Sequence, residues 1–157
     1  METALKFLSQ AITMAGDNVR SGKGGPFAAL IVRNGEVIAA ATNSVTASND
    51  PTAHAEVNAI REACRRLGTF QLDDCEIYSS CEPCPMCLGA IYWARLRKVY
   101  YAATQNEAAA AGFDDGFIYR EIEKSPLHRS IPFVHVKIED AIHPFRIWNE
   151  TTNKITY

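Results

Sequence analysis

Leu5, Leu8, Ile12, Ala15 and Val19 recur three and four residues apart, which predicts an amphipathic opening helix packed on the rest of the domain. Ser21 to Pro26 follows as a glycine-rich connector, since Gly22-Lys23-Gly24-Gly25 lacks the spacing of a phosphate-binding loop. The period then changes. Phe27 to Arg33 and Glu36 to Thr42 are short runs, apolar on both faces, around Asn34-Gly35, the dipeptide that best fits a tight hairpin turn. Such strands suit a sheet covered on each side. Asn43 to Asn49 reads as a polar loop, and Val57, Ile60, Cys64 and Leu67 as the stripe of a helix that stops at Gly68. Cys75 to Ser80 reads as a strand, the segment through Arg95 as a helix with Leu88, Ile91 and Tyr92 inward, and Lys98 to Ala103 as a strand. Strand–helix–strand alternation requires a crossover, so these two strands are expected to be parallel in an α/β sheet.

Farther on, Glu107 to Gly112 predicts an alanine-rich turn or helix, and a helical segment runs to Lys124 behind the paired Asp114 and Asp115. Ser125 to Pro132 is expected as loop with His128 solvated, and Phe133 to Ile138 alternates as a strand carrying His135. Asp140 to Asn149 suggests a helix interrupted near Pro144, with a polar tail from Thr151 to Tyr157. With 157 residues, 47% of them hydrophobic, the chain fits one globular domain, 1–157.

A formal charge of −2, with no long basic run, disfavours nonspecific nucleic-acid binding. The N-terminus has no uninterrupted apolar core of a signal peptide, and no stretch is long and apolar enough to span a membrane. Five cysteines, three of them between Cys81 and Cys87, fit reduced thiols and a metal better than a disulfide framework, which points to the cytoplasm.

The candidate chemistry lies between Asp50 and Cys87. His54-Ala55-Glu56 and Pro83-Cys84-Pro85-Met86-Cys87 form the H-x-E…P-C-x-x-C pattern of zinc deaminases. Zinc prefers four tetrahedral ligands, and three protein ligands leave one corner for water. His54, Cys84 and Cys87 supply one imidazole and two thiolates, a set of formal charge near zero once zinc is bound. Such a metal acidifies water less than one held by three histidines, so a separate base is useful, and Glu56 is the candidate. Residues two apart lie about 200° apart around a helix, so His54 and Glu56 face one ion only from a first turn. Thr52 is the expected cap of that helix. Pro85 suits the first helical position, placing Cys84 at the cap and Cys87 one turn on. Cys81-x-x-Cys84 has the same spacing, so Cys81 stays open as an alternative ligand. Asn43 reads as a turn residue or a site residue, the paired Asp114 and Asp115 as helix caps, and Trp93 as core or pocket wall.

Beyond the metal residues, Gly24-Gly25-Pro26-Phe27, Asn49 to Glu56, Gln71 to Cys75, Ser80 to Arg95 and Ala111-Gly112-Phe113-Asp114-Asp115 together resemble the small bacterial guanine deaminases of the cytidine-deaminase-like zinc superfamily. The resemblance covers nearly the whole chain. It implies a three-layer α-β-α sandwich around a five-stranded mixed sheet, one Zn2+ held by His54, Cys84 and Cys87, and Cys81 outside the ligand set. It implies substrate contacts from Asn43, Phe27, Ala55, Trp93 and Tyr157, and a second proton-handling role for Asp115 beside Glu56. It further implies a homodimer in which residues 140–157 exchange to cover the partner's site. The reaction it implies is hydrolysis of guanine to xanthine and ammonia, zinc-bound hydroxide attacking C2 while Glu56 shuttles the proton. Guanosine or an aminotriazine is a rival substrate, and a noncatalytic structural zinc module or an RNA editor a rival class.

Overall fold

Asn34 and Gly35 both adopt positive φ, 51° and 81°, the backbone that lets a two-residue turn follow the right-handed twist of the strands it joins. Around it β1 (Ala28–Arg33) pairs antiparallel with β2 (Glu36–Thr42), with a register shift between Ile31 and Val32. The other edge of β1 pairs antiparallel with β3 (Cys75–Cys81), and β3 pairs parallel with β4 (Lys98–Ala103), in the order β2-β1-β3-β4. The computed structural model describes residues 2–157, which form two compact units, one ending at Gly116 and one spanning Phe117–Tyr157.

All four strands lie in the first unit, and β1 is covered on both faces. Its alternate side chains point to opposite sides. Ala29 and Ile31 join Ala55, Ala59, Ile60 and Ala63 of α3 (Ala55–Leu67) and Ile91 of α4 (Pro85–Trp93) in one core cluster. Leu30 and Val32 join Phe7 and Ala11 of α1 (Glu2–Arg20) and Tyr78 in the other. These are the expected three layers of an α/β sandwich.

The buried face of α1 is Phe7, Ala11, Ala15 and Asn18; of the expected Leu5-Leu8-Ile12-Ala15-Val19 stripe, Ala15 is buried and Leu8 partly so. Leu5, Ile12 and Val19 are at least half exposed. The helix is apolar on more than one side, and the side with small alanines is the one that settles on the sheet. A single helical turn, α2 (Val45–Ser48), interrupts the expected loop after β2, and Gly68 ends α3 with φ of 65°. After β4, Thr104 and Glu107 form a reciprocal capping box at the start of α5 (Gln105–Ala110).

The second unit carries most of α6 (Gly116–Glu123), a 3₁₀ turn at Pro126–His128 and α7 (His143–Glu150). His128 is exposed, as expected of a loop histidine, and its Nδ1 lies 2.6 Å from Ser125 Oγ. Phe133 to Ile138 was the expected fifth strand, and it forms none: among the described residues the sheet has four strands. Alternation alone does not make a strand. The segment needs a neighbour offering free backbone donors and acceptors, and this unit holds only helices and turns. Pro144 opens α7 instead of interrupting a longer helix, because its missing N–H costs nothing in the first turn. Among the described residues no helix is long and apolar enough to cross a membrane.

Leu30 is fully buried at the centre of this sheet. Leu30→Ala should lower unfolding free energy by about 2–5 kcal/mol, as large-to-small changes in close-packed cores do. Urea denaturation measures it, and a loss below about 1 kcal/mol would place the core elsewhere.

Candidate active site

The site begins with a turn stiffened by its own side chain. Asp50 Oδ1 accepts from the backbone N–H of Thr52 at 2.8 Å and from its hydroxyl at 2.7 Å, while Ala53 N–H donates to Asp50 O. Thr52 is therefore committed to the turn and does not cap the helix. His54 occupies the cap position of α3 in an extended conformation, φ −70° and ψ 153°, so the imidazole and Glu56 both reach the same end of the helix. Asn58, one turn further on, donates to Thr42 O, Ser44 Oγ and Ala53 O, tying the start of α3 to the end of β2.

The second arm repeats this geometry. Cys84 is the extended cap residue of α4, φ −66° and ψ 169°, with Pro85 opening the helix and Cys87 in its first turn. Unpaired N–H groups at such a helix start favour thiolate. The parallel β3 and β4 fix the height of this turn, because Glu82 N–H donates to Ala103 O and Gln105 N–H to Glu82 Oε2.

The ligand atoms of His54, Cys84 and Cys87 all lie within 4.8 Å of one another. His54 Nδ1 is 3.5 Å from both Cys84 Sγ and Cys87 Sγ. Tetrahedral zinc with bonds of about 2.3 Å to sulfur and 2.0–2.1 Å to nitrogen separates those atoms by about 3.6 Å, so the three side chains fit the ion. Cys81 is not in the group. Its thiol turns to Thr104 O at 3.8 Å, and burial pushes its pKa up to about 11.

Among the protein groups alone, Cys84 and Cys87 are shifted in opposite directions. The bond from the Cys87 thiol, assisted by His54 and opposed by burial, holds Cys84 below the ordinary thiol range, while that bond and burial push Cys87 above it. The contact with Cys84 raises His54, burial opposes this, and the charges of Cys84, Glu56 and Asp115 add to the rise. Glu56 is buried beside them, 3.4 Å from Cys87 Sγ through Oε2. Burial is the main cause that raises its pKa above the ordinary carboxylate range, which suits a group that holds and returns a proton.

The other expected residues divide. Asn43 is buried where β2 ends, and Ala55 is fully buried as the first residue of α3. Phe27 is half-buried, its ring edge-on to Phe113 at 4.9 Å. Asp114, not Asp115, makes the turn bond, accepting from Gly116 N–H at 2.8 Å. Asp115 Oδ1 instead accepts from Gln105 Nε2 at 2.8 Å, and its charge is felt at His54. Trp93 closes α4 with 65% of its surface exposed, so it is not a core residue. Tyr157 is exposed within the second unit.

Two contributors were not picked out in the sequence. Ser79 Oγ donates to Glu56 Oε1 at 3.3 Å from a fully buried position on β3, and Gln105 orients Asp115. Ser79-Ser80 was the available signal: hydroxyls in a buried strand need partners, and Ser80 finds one in Ala28 N–H at 3.0 Å.

Comparison with known proteins agrees with this geometry. Residues 1–103 match the model of the cytidine and deoxycytidylate deaminase zinc-binding region. The chain is 58% identical over 151 residues to a guanine deaminase of Bacillus subtilis, covering 96% of this chain and 97% of that protein. The X-ray structure of guanine deaminase from Bacillus subtilis superposes with a TM-score of 0.95 at 57% identity, covering 97% of each chain. A tRNA-specific adenosine deaminase of Aquifex aeolicus is 38% identical over 116 residues, 74% of each chain. With a family match spanning both arms of the metal site, the chain belongs to the cytidine and deoxycytidylate deaminase zinc-binding family.

Proposed function

We propose that this protein is a zinc-dependent hydrolase that converts guanine and water to xanthine and ammonia. The observation that carries the reaction type is the buried Glu56 carboxyl set against three side chains placed to hold a metal. The substrate is supported by the 58% identity to a guanine deaminase, at matching length.

His54, Cys84 and Cys87 would hold the zinc. Bound there, zinc supplies Lewis acidity that makes a water nucleophilic at neutral pH. Glu56 removes a proton from the attacking water as a C–O bond forms at C2, and delivers it to ring N3. Glu56 then takes the proton of the new C2 hydroxyl as the C2=O bond forms and, with Asp115, passes it to the 2-amino group; the C–N bond breaks and ammonia departs. Asn43 and Phe27 orient the base, with the Ala55 backbone and Trp93 beside it. The chain works as a homodimer, and residues 140–157, ending in Tyr157, close the partner's pocket.

A structural zinc would need a fourth protein ligand. Cys81, the nearest thiol in sequence, is turned to Thr104. An RNA editor is the reading that the Aquifex relative favours, and a chain of net charge −2 offers little for a polyanion.

Cys84→Ser and Cys87→Ser should lose stoichiometric zinc by elemental analysis, whereas Cys81→Ser should keep one zinc per chain; zinc loss in Cys81→Ser would put that thiol in the ligand set. Glu56→Gln should keep zinc and lose about 10²–10⁴-fold or more in kcat for guanine, the usual worth of a positioned general acid–base. Near-normal turnover by Glu56→Gln would remove Glu56 from the mechanism. Asp115→Asn should lower kcat by a smaller factor, and an unchanged rate would leave Asp115 a purely structural residue.

A further inference from the structure

Asn18 is an amide at a core position. It follows Phe7, Ala11 and Ala15 on the buried face of α1 and is itself only 5% exposed. Buried amides are costly unless bonded, so its presence asks what it holds. Its Nδ2 donates to Gly25 O and to Asn43 O, both at 2.9 Å. Its backbone carbonyl accepts from Ser21 Oγ and from Lys23 N–H. One side chain thus clamps the loop before β1 to the residue that follows β2.

The clamp is tight enough to exclude a methyl group. A Cβ at Gly24 would lie 2.1 Å from Asn43 O and 3.0 Å from Asn18 Nδ2. With the loop drawn in, Gly25 N–H points at Asn43 Oδ1 at 3.4 Å, and Val45 N–H reaches the same oxygen at 3.3 Å. Two backbone donors on one oxygen settle the flip of the Asn43 amide. Its NH2 takes no acceptor among the described residues and remains available as a donor. Guanine offers adjacent acceptors, N7 and O6, on the edge away from the reacting C2.

We propose that Asn18 is a positioning residue for substrate recognition: by holding Gly25 and Asn43 together it fixes the Asn43 amide with its NH2 toward the ligand. This rests on the reading that Asn43 touches the substrate. Without the clamp the Gly24-Gly25 loop relaxes, the Asn43 oxygen loses a donor, and the amide samples both flips.

The test is a double-mutant cycle on kcat/KM for guanine in the zinc-loaded protein. Asn18→Leu keeps the shape and removes both donors, and Asn43→Ala removes the proposed contact. Asn18→Leu should raise KM by about tenfold, the scale of one hydrogen bond to the ligand, with kcat and zinc content little changed. Combined with Asn43→Ala it should add almost nothing to the loss from Asn43→Ala alone. Gly24→Ala strains the clamp without removing a polar group, and should show the same KM rise and the same lack of effect beside Asn43→Ala. It serves as the cycle partner if Asn18→Leu does not fold. Losses that simply multiply in the double variants would overturn the positioning role, as would an unchanged KM in a folded single variant. If Asn43→Ala alone leaves kcat/KM unchanged, the contact reading itself has failed and the positioning role falls with it.

Discussion

Three ligand atoms from two separate helix starts must converge within 4.8 Å, and much of the first unit is arranged to make that happen. Neither helix could do it alone. His54 and Cys84 both precede the first helical residue in extended backbone, so the imidazole and the thiol each stand at a helix start. The helices then have to be aimed at one another. Alanines 55, 59 and 63 let α3 lie close on β1, while the β3–β4 ladder and the Glu82 contacts fix the turn before α4. The sheet therefore shapes the candidate metal site through helix placement, although none of those three side chains lies on a strand.

The same arrangement creates a carboxyl suited to proton transfer. Glu56 is forced into the interior by its place in the first turn of α3, between the metal ligands and β3, where Ser79 and Cys87 bond its two oxygens. A carboxylate in that setting keeps a proton more readily than one in water, because burial penalises the charged form. Asp115 arrives from a different route, on the segment after α5, and is held by Gln105 instead of by burial. Two carboxyls in unlike surroundings thus lie near enough to His54 for their charges to raise it.

The sequence made the metal arm legible because its constraints are local. Pro85 after Cys84 and the close spacing of His54 and Glu56 dictate helix starts, and Asn34-Gly35 dictates its hairpin, with no reference to distant residues. What needed the folded chain was contact across long separations. Ser79 meets Glu56 and Asn18 meets Asn43 only after strands and helices have packed, and no periodicity announces which buried hydroxyl or amide faces which partner. The helix α1 shows the same limit: its apolar residues offered more than one stripe, and the sheet selected the side with Ala11 and Ala15. Phe133 to Ile138 had the alternation of a strand and no ladder in its own unit to join. The cap at α3 was misread for a simpler reason, since Thr52 and His54 compete for adjacent turns and the Asp50 side chain decides between them.

The most direct measurement is ammonia release by the purified zinc-loaded protein offered guanine, guanosine, cytosine, adenine and ammeline in parallel, with the purine product identified. Guanine should be turned over, yielding xanthine and ammonia in equal amounts, with little or no release from the others. Preferential turnover of guanosine or ammeline would contradict the substrate assignment, and release from none of them would contradict the catalytic role of the metal site.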